Sequence, residues 1–159
     1  MEQSHFTVRF YKDGGWHHIT VDNYLPVNSY KSLAFARCLD QKEFWVPIVE
    51  KAYAKLHGCY KSLISGFTQE ALVDMTGGIG YRKKIDPQSS KNDEIWNELV
   101  KSNQEDFLLG TMIASSQERE SEYGNTGLVT GHAYGVLKTG IVNGERIIQC
   151  RNPWGSKEW

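Results

Sequence analysis

The 159 residues predict an α+β fold built as two successive lobes. Three observations lead there: strand-like alternation broken by turn glycines near each end, helical periodicity between them, and a double glycine followed by an aperiodic polar stretch.

Taken in order, "HFTVRFY" alternates Phe6, Val8 and Phe10 with polar or bulky partners. Asp13, Gly14 and Gly15 break the run and "WHHITV" resumes it, which predicts a β-hairpin. "SLAFARC" reads as a third short strand. "VPIVEKAYAKLHG" brings Val46, Val49, Tyr53 and Leu56 to one helical face, with Pro47 in the first turn and Gly58 past the end. "TQEALVDMTGG" predicts a short helix capped by Thr68 and stopped at Gly77 and Gly78. The polar stretch after those glycines has no apolar period, so the first lobe is assigned residues 1–78 and the second 79–159. Beyond it, Ile95, Trp96, Leu99 and Val100 mark an amphipathic helix, "FLLGTMIA" a buried strand, and "QERESEYGNTG" an exposed loop. From Val129 onward a second hairpin turns at Asn143 and Gly144.

Composition narrows the function. With 18 Lys and Arg against 19 Asp and Glu, the formal charge is −1, which gives no footprint for nucleic acid or an anionic membrane surface. No apolar run approaches the roughly 20 residues of a membrane-spanning helix, and "MEQSHF" lacks the features of a signal peptide, so a cytoplasmic setting and protein or small-molecule partners are expected. Cys38, Cys59 and Cys150 are odd in number and show no C-x-x-C spacing, so all three are expected to be reduced. His17 and His18 are adjacent on a strand and point to opposite faces, which argues against joint metal ligation; Lys83 and Lys84 read as solvated linker residues.

The last hairpin carries one imidazole, His132, and one carboxamide, Asn152, with Trp154 just beyond. A free thiol is mostly protonated at neutral pH and becomes a competent nucleophile beside an imidazole, and an amide can hold that ring in one tautomer. Strand register decides whether the pair can meet. With a two-residue turn at Asn143 and Gly144, Asn152 falls opposite Gly135, on the face away from His132. With a three-residue loop from Val142 to Gly144, Asn152 falls opposite Tyr134 and shares the face of His132, at about 7–8 Å on the diagonal. Trp154 then lies opposite His132 and screens the pair from water. By spacing alone, a packed strand histidine and an Asn-Pro turn would look the same.

Longer blocks carry more information. "GHAYGV" with "RNPWGSKEW" resembles the His and Asn blocks of the calpain family of calcium-dependent cysteine proteases. "VDNYLP", "EFWVPIVEKAYAKLHGCY" and "ALVDMTGG" are similar to calpain segments in the same order, so the resemblance covers nearly the whole chain. It implies a papain-like α+β protease core, represented by the C-terminal part of the first lobe and most of the antiparallel, β-rich second lobe, cut short at its C-terminus. It also implies calcium-dependent endopeptidase activity on protein substrates, with His132 as the catalytic histidine, Asn152 as the asparagine that orients it, and Trp154 as the shielding indole. The family's nucleophilic Cys stands in a D-C-W context after an oxyanion-hole Gln, and neither occurs here. The resemblance thus places the thiol before Met1, in the missing N-terminal part of the first lobe, so that the chain alone cleaves nothing; alternatively the thiol has been lost and the protein is an inactive regulatory or binding module. Calcium is the implied cofactor. Glu43 matches a ligand of a first-lobe site and Glu158 one of a second-lobe site, both incomplete here; the ordinary alternatives are helix N-terminal electrostatics for Glu43, compatible with ligation and with Asp40 nearby as a cap, and a solvated chain end for Glu158.

Overall fold

Alternation at the start of the chain becomes an antiparallel pair, β1 (His5–Lys12) and β2 (Gly15–Asp22), in register from His5↔Asp22 to Lys12↔Gly15. The two turn residues, Asp13 and Gly14, both have positive φ, 50° and 81°, the geometry that matches the strand twist in a two-residue hairpin. The computed structural model describes residues 4–40, 42–86, 88 and 92–155. Among them the remaining elements are α1 (Trp45–Leu56), a 3₁₀ turn at Tyr60–Leu63, α2 (Thr68–Thr76), α3 (Asn92–Gln104), β3 (Leu109–Met112), α4 (Gln117–Tyr123), β4 (Ala133–Val142) and β5 (Glu145–Arg151). This is a mixed α+β arrangement with antiparallel sheets, as the sequence pattern predicts. No helix among the described residues is long and apolar enough to cross a membrane.

The chain divides into two compact units, one ending at Gly80 and the other beginning at Tyr81. In the first, one face of the β1–β2 hairpin packs on α1. Phe10 (1% exposed), Val21, Ile48 and Ala52 form its centre, with Phe6, Val8, Ile19, Leu25, Val49, Tyr53 and Leu56 packed around them. The helical face expected from Val49, Tyr53 and Leu56 is the flank of this contact. Its deepest positions are Ile48 and Ala52, one turn apart, where a methyl side chain lets the helix approach the sheet closely.

Three local expectations for this unit are corrected. "SLAFARC" makes a single bridge, Val27↔Leu33, instead of a strand. Its backbone and side chains find other partners: Ala34 N–H donates to Pro26 O, Ala36 N–H to Glu50 Oε2, and Phe35 stacks on Tyr60 with ring centroids 4.1 Å apart. Thr68 lies inside the first turn of α2, whose N-cap is Phe67 in an extended conformation with no side-chain cap. Asp40 likewise does not cap α1, because its carboxylate accepts from Lys42 N–H in a local turn and the N-cap is Phe44. The stop at Gly77 is as expected, in the left-handed region at φ 71°, and a Cβ there would come within 2.8 Å of the Trp16 ring.

Asp74 ties three elements of this unit together. It is 5% exposed and accepts from Tyr53 O–H at 2.8 Å and Lys12 Nζ at 3.1 Å, with His57 Nε2 at 3.2 Å. Burial pushes its carboxyl up, but the hydrogen bonds from Tyr53 and Lys12, the Lys12 charge and the His57 contact together outweigh that and hold it below its ordinary 3.8. Beside it, burial and then the Asp74 carboxylate push the Tyr53 hydroxyl above its usual range. A carboxyl depressed in the folded state contributes stability that is complete above the unfolded-state value of 3.8 and is lost as pH falls through the lower folded-state value. Asp74→Asn is therefore expected to cost about 1–3 kcal/mol at neutral pH and to flatten the loss of thermal midpoint below about pH 4. Thermal melts across that range, wild type against variant, check both; parallel curves would remove Asp74 from the acid transition.

In the second unit, β3, β4 and β5 form an antiparallel sheet in that order, and α3 packs against β4. The strand expected to be buried, β3, alternates half-buried and exposed residues, and Phe107 and Leu108 before it are 57% and 62% exposed. The expected loop "QERESEYGNTG" begins instead with α4, whose Ser116 Oγ accepts from Arg119 N–H at 3.2 Å. This helix has no buried residue, so its sequence shows no apolar period. Lys83 is not simply solvated: it forms an ion pair with Glu98 on α3, and Tyr81 O–H donates to the other oxygen of that carboxylate at 2.7 Å.

Candidate active site

The β4–β5 turn combines the two alternatives read from sequence. It is a two-residue turn, Val142↔Glu145, with Asn143 and Gly144 at φ 51° and 85°. In an unbroken ladder this would send Asn152 to the face away from His132. The ladder is not unbroken: Val136 pairs with Cys150 and Lys138 with Gln149, leaving Leu137 as a β-bulge. The extra residue shifts the register by one, so that Gly135 faces Arg151 and the next residues out, Tyr134 and Asn152, come level. The sharing of a face expected of the longer loop is thus achieved with the shorter one.

His132 stands just before β4. Gly131, at φ 64°, sets the direction of approach, and its N–H donates to Ile113 O at 2.7 Å. Asn152 stands just after β5 and is 2% exposed. His132 Nε2 lies 2.8 Å from Asn152 Oδ1, and the same oxygen receives Trp154 N–H at 3.1 Å. A backbone N–H can only donate, so the amide atom facing both groups is the oxygen. His132 Nε2 must then carry a proton, which leaves Nδ1 as the basic nitrogen of the neutral ring. The Trp154 ring lies 4.2 Å from the imidazole, tilted by 42°, and is itself 49% exposed, so it covers one side of the pair.

Tyr134 is a member of this cluster that spacing arguments passed over. It is 7% exposed, its ring meets the imidazole edge-on at 5.0 Å and 84°, and its hydroxyl accepts from Val129 N–H at 2.8 Å. The signal was in "GHAYGV": a residue two after His132 on a strand shares its face.

The cysteines differ in kind. Cys150 faces Val136 two residues before Asn152, and burial pushes its thiol up, away from the thiolate a nucleophile needs. Cys59, in the first unit, is exposed at the N-cap of the 3₁₀ turn, where the Ser62 hydroxyl and then the Ser62 and Lys61 amides lower its thiol. Cys38 is half-buried, and all three are free. His17 and His18 face Phe10 and Arg9 across the hairpin, and His17 Nε2 lies 3.0 Å from Lys12 O. Glu43 is exposed and its carboxylate accepts from the Trp45 indole N–H at 3.3 Å. Among the described residues no group of three His, Cys, Asp or Glu side chains could hold a metal ion. Glu158 lies outside the described residues.

The profile of the family described as "Calpain family cysteine protease" matches residues 2–159. The chain is 41% identical to the calpain-type cysteine protease ADL1 of Oryza sativa subsp. japonica over 165 residues, covering 99% of this chain and 7% of that protein. It is 35% identical to calpain-5 of Caenorhabditis elegans, covering 97% of this chain and 27% of the relative, and 37% identical to human calpain-12, covering 97% and 21%. The chain therefore spans between a fourteenth and about a quarter of the length of these relatives.

Proposed function

Because this chain belongs to the calpain family of cysteine proteases, we propose that it is part of the catalytic core of a calcium-dependent endopeptidase, working on protein substrates in the cytoplasm through a Cys-His-Asn triad. The observation that carries the proposal is the His132 Nε2···Asn152 Oδ1 contact of 2.8 Å on a buried amide, which leaves Nδ1 available to a thiol. Residues 1–78 contribute the end of one protease lobe and residues 79–159 most of the other.

None of Cys38, Cys59 and Cys150 stands in the D-C-W context of the family's nucleophile, and Cys150 lies on β5 two residues before Asn152. The thiol is assigned to the remainder of the first lobe, outside these 159 residues, and the chain alone is expected to be inactive. In the complete core, His132 Nδ1 takes the thiol proton as sulfur attacks the peptide carbonyl. The ring is then an imidazolium held at Nε2 by Asn152, and Nδ1–H returns its proton to the leaving amine as the tetrahedral intermediate collapses to an acyl-thioester. Nδ1 next takes a proton from water as that water attacks the thioester, and returns it to the departing thiolate. Trp154 keeps bulk water from competing for Asn152 Oδ1.

Calcium dependence rests on family membership. The described residues do not make a calcium site, because Glu43 offers one exposed carboxylate where the ion takes six to eight oxygens, and no step is routed through the ion. Digestion of casein by the full-length protein, dependent on calcium and blocked by iodoacetamide, is the expected result. Absence of cleavage at any calcium concentration would sink the enzyme and favour its rival, an inactive calpain-like regulatory module.

A further inference from the structure

We infer that Asn103, at the end of α3, is a positioning residue for the catalytic pair, acting through the β-bulge at Leu137. The inference rests on the reading of His132 and Asn152 as that pair.

Two constraints on the second hairpin conflict unless the bulge is present. The turn fixes Val142 against Glu145, and the site needs Asn152 on the face of His132. Gly135 lies seven residues before Val142 and Arg151 six after Glu145, so a regular ladder running back from the turn would pair Gly135 with Asn152. The observed pairing of Gly135 with Arg151 requires one residue more on β4 than on β5, and that residue is Leu137. Pairing of β4 with β3 ends at Val136, so β3 holds the site end of the strand and not the bulge.

A bulge leaves backbone groups without ladder partners, and a regular ladder competes with it. Asn103 answers both flanks from one side chain. Its Nδ2 donates to Leu137 O at 3.2 Å, and its Oδ1 accepts Thr139 N–H at 3.0 Å and the Thr139 hydroxyl at 3.3 Å. An amide is suited to the task because it offers a donor and an acceptor side by side. With these bonds gone, the strand can recover regular pairing by sliding one residue, which turns Asn152 away from His132. Leu137 is itself 39% exposed, so its own side chain does not anchor the bulge in the core.

Asn103→Ala in the full-length protein is expected to lower kcat by roughly 10²-fold at nearly unchanged KM. In the ¹⁵N spectrum of His132 it replaces the Nε2-protonated tautomer by a mixture. Deleting Leu137 from that variant keeps every observed pair, including Gly135 with Arg151, without needing a bulge. The double variant is expected to regain the single tautomer and kcat to within about threefold. A residue that only stabilised the fold would not be rescued by a deletion. An unchanged His132 tautomer in Asn103→Ala, or a double variant as impaired as the single one, overturns the inference. The tautomer is read without substrate, so it decides this point even if casein is not cleaved, an outcome that would instead overturn the functional reading.

Discussion

Alanine in place of His132 is expected to lower kcat/KM of the full-length protein by roughly 10⁴-fold, with the substrate KM little changed. The loss follows from the geometry at Nδ1. With Nε2 committed to Asn152 Oδ1 at 2.8 Å, the ring has one basic nitrogen, which in the proposed mechanism serves both the thiol and the leaving amine. Asn152→Ala should lose less, roughly 10²-fold, because the base survives but its ring can rotate and exchange tautomers. Combining the two should cost no more than His132→Ala alone, since the amide acts through the imidazole. Steady-state kinetics on a fluorogenic peptide check all three variants. Cleavage that persists in His132→Ala would remove the assignment of the base, and wild-type rates in Asn152→Ala would remove that of the orienting amide.

Phe10→Ala is expected to destabilise the first unit by about 3–5 kcal/mol. Phe10 is 1% exposed at the centre of the hairpin's inner face, in contact with the Tyr53 ring at 5.3 Å between centroids. The surrounding Val21, Ile48 and Ala52 are fixed in strand and helix and can only partly collapse into the space. In a unit of this size each kcal/mol moves the thermal midpoint by roughly 4–8 °C, so the transition should fall by more than about 12 °C. Phe35→Ala is the contrast. That ring is stacked on Tyr60 but 48% exposed, and its removal should cost only about 1 kcal/mol. Denaturant titrations of the two variants give the comparison; equal losses would show that the hairpin face is not the centre of the core.

Much of this protein is legible from one-dimensional pattern. The β1–β2 hairpin follows from alternation around Asp13 and Gly14, and α1 from apolar residues at helical spacing between Pro47 and Gly58. The family follows from "GHAYGV" and "RNPWGSKEW" with the blocks before them, because a resemblance over nearly the whole chain does not depend on any register. His132, Asn152 and Trp154 could be named as candidates from those blocks alone. What pattern cannot carry is any feature settled by a distant partner. "SLAFARC" has strand-like residues, yet Glu50 and Tyr60 take its amide and its ring. Thr68 has the chemistry of a cap, yet the chain enters α2 one residue earlier. Most of all, neither register read for the last hairpin was the one adopted. Asn143 and Gly144 dictate a two-residue turn locally, and the side chain of Asn103, 34 residues before Leu137 in the chain, bonds the bulge that brings Asn152 under His132. Residue type fixes which groups are available for chemistry, whereas the face on which they emerge depends on hydrogen bonds closed across space, which no stretch of neighbouring residues encodes.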